Sequence, residues 1–202
     1  MELVLPNLEL YAPVTLRGPR LSDREFLEFC ADHEDLRVES NDGGEIEIMP
    51  GTGPDTGQRN LEIAMQLGWW TKRDGRGSAF DSSTLFVVPS GARRSPDASW
   101  IAKSRIAGLP PAQRGHLWQI CPEFVIELRS PSDRLPLLEA KMREWIASGA
   151  QLGWLVDPDE RTVTVYRPKR DPEVLIQPRN VTGEGPVDGF VLDLAEIWST
   201  SN

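Results

Sequence analysis

Glu127 stands inside the run FVIEL, residues 124–128, which otherwise reads as a short buried strand. A carboxylate in a low-dielectric interior is expensive unless it is paired, hydrogen-bonded or bound to a metal. A second charge poses the same problem fourteen residues later. The segment RLPLLEAKMREWIASG reads as a helix closed by Gly149. With Leu137 set at zero and about 100° per residue, Leu138, Met142, Trp145 and Ile146 define its apolar stripe. Lys141 falls at about 40° on the same wheel, between Leu137 and Trp145 and therefore toward the sheet. Either its stem packs while the ammonium escapes at the rim, or the ammonium has a partner inside. A third charge, Asp97 in RRSPDASWI, follows Pro96 at the start of a strand-like run. Alone, it reads more readily as a turn residue. Together, two carboxylates converging from strand positions make a hard-oxygen site for Mg²⁺ or Mn²⁺. Such an ion acidifies water and stabilises charge building on a phosphate, and a nearby lysine orients that water or counters the charge.

The elements that would hold these residues can be read from local pattern. SDREFLEFCADH opens with a capping-box signature, Ser22 and Glu25, and predicts a helix over about 23–32. LRVESNDGGEIEIMP predicts a β-hairpin. GTGPDTG reads as a loop, and QRNLEIAMQLGWWTKRD as a helix with Leu61, Ala64, Met65 and Trp69 at helical spacing. TLFVVPS and RRSPDASWI read as strands joined by a turn at Ser90 and Gly91, and SRIAGLPPAQRG as a loop with one helical turn. QLGWLVDPDERTVTVYRP predicts two strands around an Asp-Pro-Asp turn, and GFVLDLAEIW a short closing helix from near Asp193. The unit strand 123–128, helix 134–148, strand 151–157 has the lengths of a βαβ crossover, so its two strands should be parallel neighbours. The order predicts an α/β or α+β fold with one mixed central β-sheet flanked by helices.

Bulk composition narrows the function classes. A chain of 202 residues suits one domain over 1–202, with 1–20 as an N-terminal arm. Neither a signal peptide nor a membrane span is apparent, and two distant cysteines, Cys30 and Cys121, argue against a disulfide framework, so the cytoplasm is the expected compartment. His33 and His116 lack zinc-ligand spacing with those cysteines. No phosphate loop, dinucleotide fingerprint or hydrolase triad appears. Seven tryptophans suggest a stacking platform, but Trp69, Trp145 and Trp154 are expected in the core. The net charge of −9 argues against non-specific nucleic-acid binding. It is uneven: residues 91–145 hold nine basic and six acidic side chains, a local +3 that leaves −12 elsewhere. This is either ordinary variation or a basic working face.

SPDASW, FVIELRSPSD, KMREWIASGAQLGWLVDP and GFVLDL, in that order, resemble the PD-(D/E)XK nuclease superfamily, and within it the Uma-type restriction endonuclease-like family of prokaryotes. The resemblance spans about Asp23 to Trp198. It implies a restriction-endonuclease-like fold and Mg²⁺-dependent phosphodiester hydrolysis in DNA, with Mn²⁺ able to substitute. It implies that Asp97 and Glu127 hold the metal, and the main-chain carbonyl of Leu128 is expected to join them. The superfamily places its lysine two residues after the glutamate, where this chain has Arg129. The Uma-type family carries it on the next helix, which fits Lys141. A glutamate on the first hairpin joins the family's site, here Glu39, and the matching stretch TGQRN offers Arg59 as a phosphate contact. If Lys141 did not reach the site, Arg129 would have to substitute as a phosphate clamp. The edge-strand character of SPDASW permits a homodimer; no organic cofactor or membrane partner is implied. The competing reading is a catalytically inactive module that keeps the fold and binds nucleic acid or a protein. An RNA nuclease is a third.

Overall fold

A computed structural model describes residues 14–49, 51–111 and 117–199. His116 and the first thirteen residues of the expected arm lie outside these. The elements are β1 (Val14–Leu16), α1 (Asp23–Asp32), β2 (Arg37–Ser40), β3 (Ile46–Met49), α2 (Pro54–Asp74), β4 (Gly77–Asp81), β5 (Phe86–Val87), β6 (Arg93–Arg94), β7 (Ala98–Ala102) and α3 (Lys103–Ala107). There follow β8 (Phe124–Leu128), α4 (Leu135–Ala147), β9 (Leu152–Asp157), β10 (Thr162–Tyr166), β11 (Glu173–Ile176), β12 (Asn180–Thr182), β13 (Val191–Asp193) and α5 (Ala195–Trp198).

The central sheet is mixed, in the order β11-β10-β9-β8-β7-β4. Strands β8 and β9 are the expected parallel pair, joined through α4; β7 and β4 continue antiparallel. Strand β8 is buried throughout, so its alternation separates two cores. Phe124, Ile126 and Leu128 pack with Ile63, Leu67 and Trp70 of α2. Val125 packs on the other face with Met142 and Trp145 of α4. By the same period of two, Glu127 belongs to the α4 face.

A second, antiparallel sheet has the order β1-β3-β2-β6-β5, with α1 packed on it through Phe26. The predicted hairpin is β2 and β3, with Glu39 opposite Glu47. The capping box of α1 is present, Ser22 and Glu25 bonding reciprocally.

Three expectations are corrected. RRSPDASWI is not one strand: Arg93 and Arg94 pair in the second sheet, Ala98–Ala102 in the central one, and Ser95-Pro96-Asp97 carry the chain between them. Proline has no N–H for a ladder, which suits the break. Helix α2 starts at Pro54, inside the stretch read as a loop, because proline is well placed in a first helical turn. Trp69 is not in the core: it is 64% exposed, while its neighbour Trp70 packs inside.

Candidate active site

Strand register fixes the first pair. Strands β7 and β8 run antiparallel with Ala98 opposite Ile126, so the residue before β7, Asp97, falls beside Glu127. The Asp97 carboxylate is tied down by Oδ2, which accepts the Leu128 main-chain N–H at 2.8 Å. Its Oδ1 has only long contacts, Arg37 Nη2 at 3.4 Å and Asn60 Nδ2 at 3.5 Å.

Helix α4 supplies the second pair. Lys141 and Trp145 are one turn apart and share a face. Trp145 Nε1 donates to Glu127 Oε1 at 2.8 Å. Lys141 Nζ sits 3.0 Å from Glu127 Oε1, 3.0 Å from Glu39 Oε1 and 3.2 Å from the Ser95 carbonyl. The ammonium therefore does not escape at the rim. Glu39 also accepts the Ser95 N–H and a bond from Arg94. Arg94 reaches Glu47, across the hairpin from Glu39, and Glu144 of α4. One guanidinium thus holds together two carboxylates that strand pairing sets directly opposite, and pins α4 to the second sheet.

Electrostatics separate the two buried glutamates. For Glu127, burial is the largest influence and pushes the carboxyl up; Lys141 opposes this, Asp97 and Glu39 add to it, and the result is about 7. For Glu39, burial again favours the neutral form, but Lys141 and Arg94 outweigh it and hold the carboxyl below its ordinary range. Burial also works against the charge on Lys141, yet Glu127 and Glu39 prevail and raise its pKa, so the amine is an ammonium at physiological pH. Arg37 is raised too: Asp97, Glu39 and Glu127 outweigh its desolvation.

These groups line one cleft of about 750 Å³, closed on its other sides by residues 51–56 before and at the start of α2 and by the loop Ser130–Arg134. In the cluster, the carboxylates of Glu39, Glu47, Asp97, Glu127 and Glu144 outnumber the cations Arg37, Arg94 and Lys141 by two. That surplus and the hard oxygen donors suit a divalent cation. Among the described residues, no group of three or more His, Cys, Asp and Glu forms a metal cage.

The sequence model of the Uma2 family, described as "Putative restriction endonuclease", matches residues 23–195. The chain belongs to the Uma2 family. A similar solved structure is that of "a putative nuclease belonging to DUF820 from Anabaena variabilis ATCC 29413". It is 24% identical over 81% of this chain and 90% of its own, with a TM-score of 0.69. The restriction-endonuclease-like fold is thereby shared. No curated protein matches.

Within this Uma2 chain, the structure brings Asp97, Glu127, Lys141 and Glu39 together. Arg129 and Arg59 do not join them. Arg129 Nη1 pairs with Asp157 of β9 at 2.7 Å, away from the cleft lining. Arg59 Nε donates to the Ile197 carbonyl at 3.0 Å and fastens α5 to α2. The next residue, Asn60, faces the cleft instead. Arg37, Asn60, Arg94 and Trp145 were not singled out for the site from sequence. Arg94 carried a signal, a second arginine beside the Pro-Asp pair; Trp145 carried one only in being a turn beyond Lys141.

Proposed function

We propose that this protein is a metal-dependent endonuclease that hydrolyses phosphodiester bonds in DNA. The observation that carries the reading is the meeting of Asp97, Glu127 and Lys141, from three separate elements, in one cleft. Membership of a family described as restriction endonuclease supports the nuclease class and favours DNA as the polymer.

Asp97 and Glu127, with the Leu128 carbonyl, would hold Mg²⁺, or Mn²⁺ in its place. The ion supplies Lewis-acid stabilisation of charge building on the phosphate and makes water more acidic. Lys141 acts as an ammonium: it orients the attacking water and offsets negative charge, and is too firmly protonated to be the base. Glu39 holds the ammonium in place from the far side. Trp145 fixes the rotamer of Glu127 through its indole N–H. In-line attack of water on phosphorus then breaks one P–O ester bond and leaves a phosphate and a hydroxyl end.

The test is cleavage of supercoiled plasmid with Mg²⁺, Mn²⁺ or EDTA by wild type, Glu127→Ala and Lys141→Ala. Nicking that needs the metal and falls at least a hundredfold in both variants is expected, on the scale of about 10² to 10³ for loss of one charge-stabilising group. Intact plasmid throughout, from folded wild type, would defeat the reading. Cleavage of RNA in its place would defeat the choice of polymer. No described helix is long and apolar enough to cross a membrane.

A further inference from the structure

Asn60 faces the cleft from the first turns of α2, beside Asp97. Its amide is half employed. Nδ2 points at Asp97 Oδ1 across 3.5 Å, at the outer limit of a hydrogen bond. Oδ1 is enclosed and has no partner. An orphaned buried carbonyl oxygen is unfavourable, typically by about 1–3 kcal/mol, and calls for an explanation. Turning the amide over would place Nδ2 in the enclosed position and Oδ1 beside Asp97. One orphan would replace another, and only a long hydrogen bond would be given up. What selects the orientation is therefore the charge facing it. With Asp97 bare, an N–H is preferred there; with a cation on Asp97, an oxygen is.

We propose that Asn60 is a ligand for the divalent cation, its side-chain carbonyl turning to join Asp97 Oδ1. The inference rests on the metal-dependent reading and adds a neutral ligand to it. Amide carbonyls are ordinary oxygen ligands for hard divalent ions. A neutral one suits this cluster, which already carries an excess of two carboxylates. The Asp97 oxygen involved is the one that the Leu128 N–H leaves unclaimed, and Arg37 Nη2 reaches it only at 3.4 Å. Arg59 and Leu61 cannot take the role, since Arg59 is turned to Ile197 and Leu61 lies 60% exposed on the outer face of the helix.

The test is calorimetric titration of metal-free protein with Mn²⁺, for wild type, Asp97→Ala, Asn60→Ala and Asn60→Cys. Asn60→Ala is expected to weaken binding tenfold or more, the order seen when metal-site partners are removed, at about 10–100-fold. Asn60→Cys puts a soft sulfur in the ligand position. It should raise the preference for Cd²⁺ over Mn²⁺ and give a thiolate-to-metal charge-transfer band absent from wild type. The native cysteines serve as the wild-type background, Cys121 being buried with its thiol pushed up to about 12. If Asn60 only steadied Asp97 through its N–H, Asn60→Ala would still weaken Mn²⁺ binding by that order, but Asn60→Cys would show no such band and no gain in preference for Cd²⁺. That outcome overturns the inference and leaves the metal-dependent reading standing. Absence of Asp97-dependent binding by wild type would overturn both.

Discussion

At the scale of residues, the site is a balance in which Glu127 and Glu39 have opposite signs. The ordinary value for Glu127 is 4.5 and its folded-state value about 7, so folding favours its protonated form. Its stabilising contribution is complete below 4.5 and is lost as pH rises through about 7. Glu39 is shifted down, so its contribution is present above its ordinary value and is lost as pH falls through the lower folded value. Metal-free wild type should therefore lose thermal stability between about pH 5 and 8, and Glu127→Gln should lose less over that range. Melting curves in EDTA across the window decide it; parallel curves would contradict the assignment. Glu127 and Lys141 were legible because each was a charge in an apolar pattern, and burial makes such charges conspicuous; Asp97 was legible only in combination with them. Glu39 was legible only through family likeness. Arg59 was misread by one position on a helix: about 100° separates a residue fastened to α5 from Asn60, which faces the cleft. Arg129 was misread because the strand ends at Leu128, and the alternation that would have aimed it inward ends there too.

At the scale of elements, Arg94 is the cross-brace. It joins β2 and β3 through Glu39 and Glu47, and α4 through Glu144. Removing it would leave three carboxylates facing one another with little water to separate them. Arg94→Ala should be destabilising by about 3–5 kcal/mol, the range for breaking a buried charge pair from one side. Urea unfolding measures this; a loss under about 1 kcal/mol would show that the braced carboxylates are better hydrated than their burial implies. The parallel β8/β9 pair and α4 were predictable because strand–helix–strand lengths leave few ways to connect. The separation of β6 and β7 into different sheets was not. Its cause, the crossing at Ser95-Pro96-Asp97, looks locally like an uninterrupted strand, and only long-range pairing of Ser40 with Arg93 shows where it breaks. Trp69 was misplaced because a helix with apolar residues on two faces does not say which one is inside.

At the scale of the molecule, the basic excess in residues 91–145 is mostly spent internally. Arg93 pairs with Asp23, Arg105 with Glu123, Arg129 with Asp157 and Arg143 with Glu139, besides the pairs of Arg94 and Lys141 in the cleft. Among the described residues lining the cleft, Arg134 has no carboxylate partner, and Arg37 holds its own only at 3.4 Å. On a chain of net charge −9, that leaves few cations to replace the counterions of a nucleic acid. Binding of duplex DNA without divalent cations should therefore be weak and shallow in its salt dependence, with a slope equivalent to roughly one or two phosphates at about 0.9 each. Fluorescence anisotropy over a salt series reads the slope directly. A steep one would mean that a basic surface outside the cleft carries the contact.

The bond from Trp145 to Glu127 also makes the protein its own indicator. Indole N–H protons resonate in a sparse region of a nitrogen–proton correlation spectrum, and this chain has seven of them. The described environments differ in kind. Trp145 Nε1 faces a carboxylate, Trp198 Nε1 faces the Pro178 carbonyl, and Trp100 Nε1 is enclosed without an acceptor. One cross-peak thus follows the charge on Glu127 as acid or cation is added, in the unaltered protein, with the other indoles as internal standards.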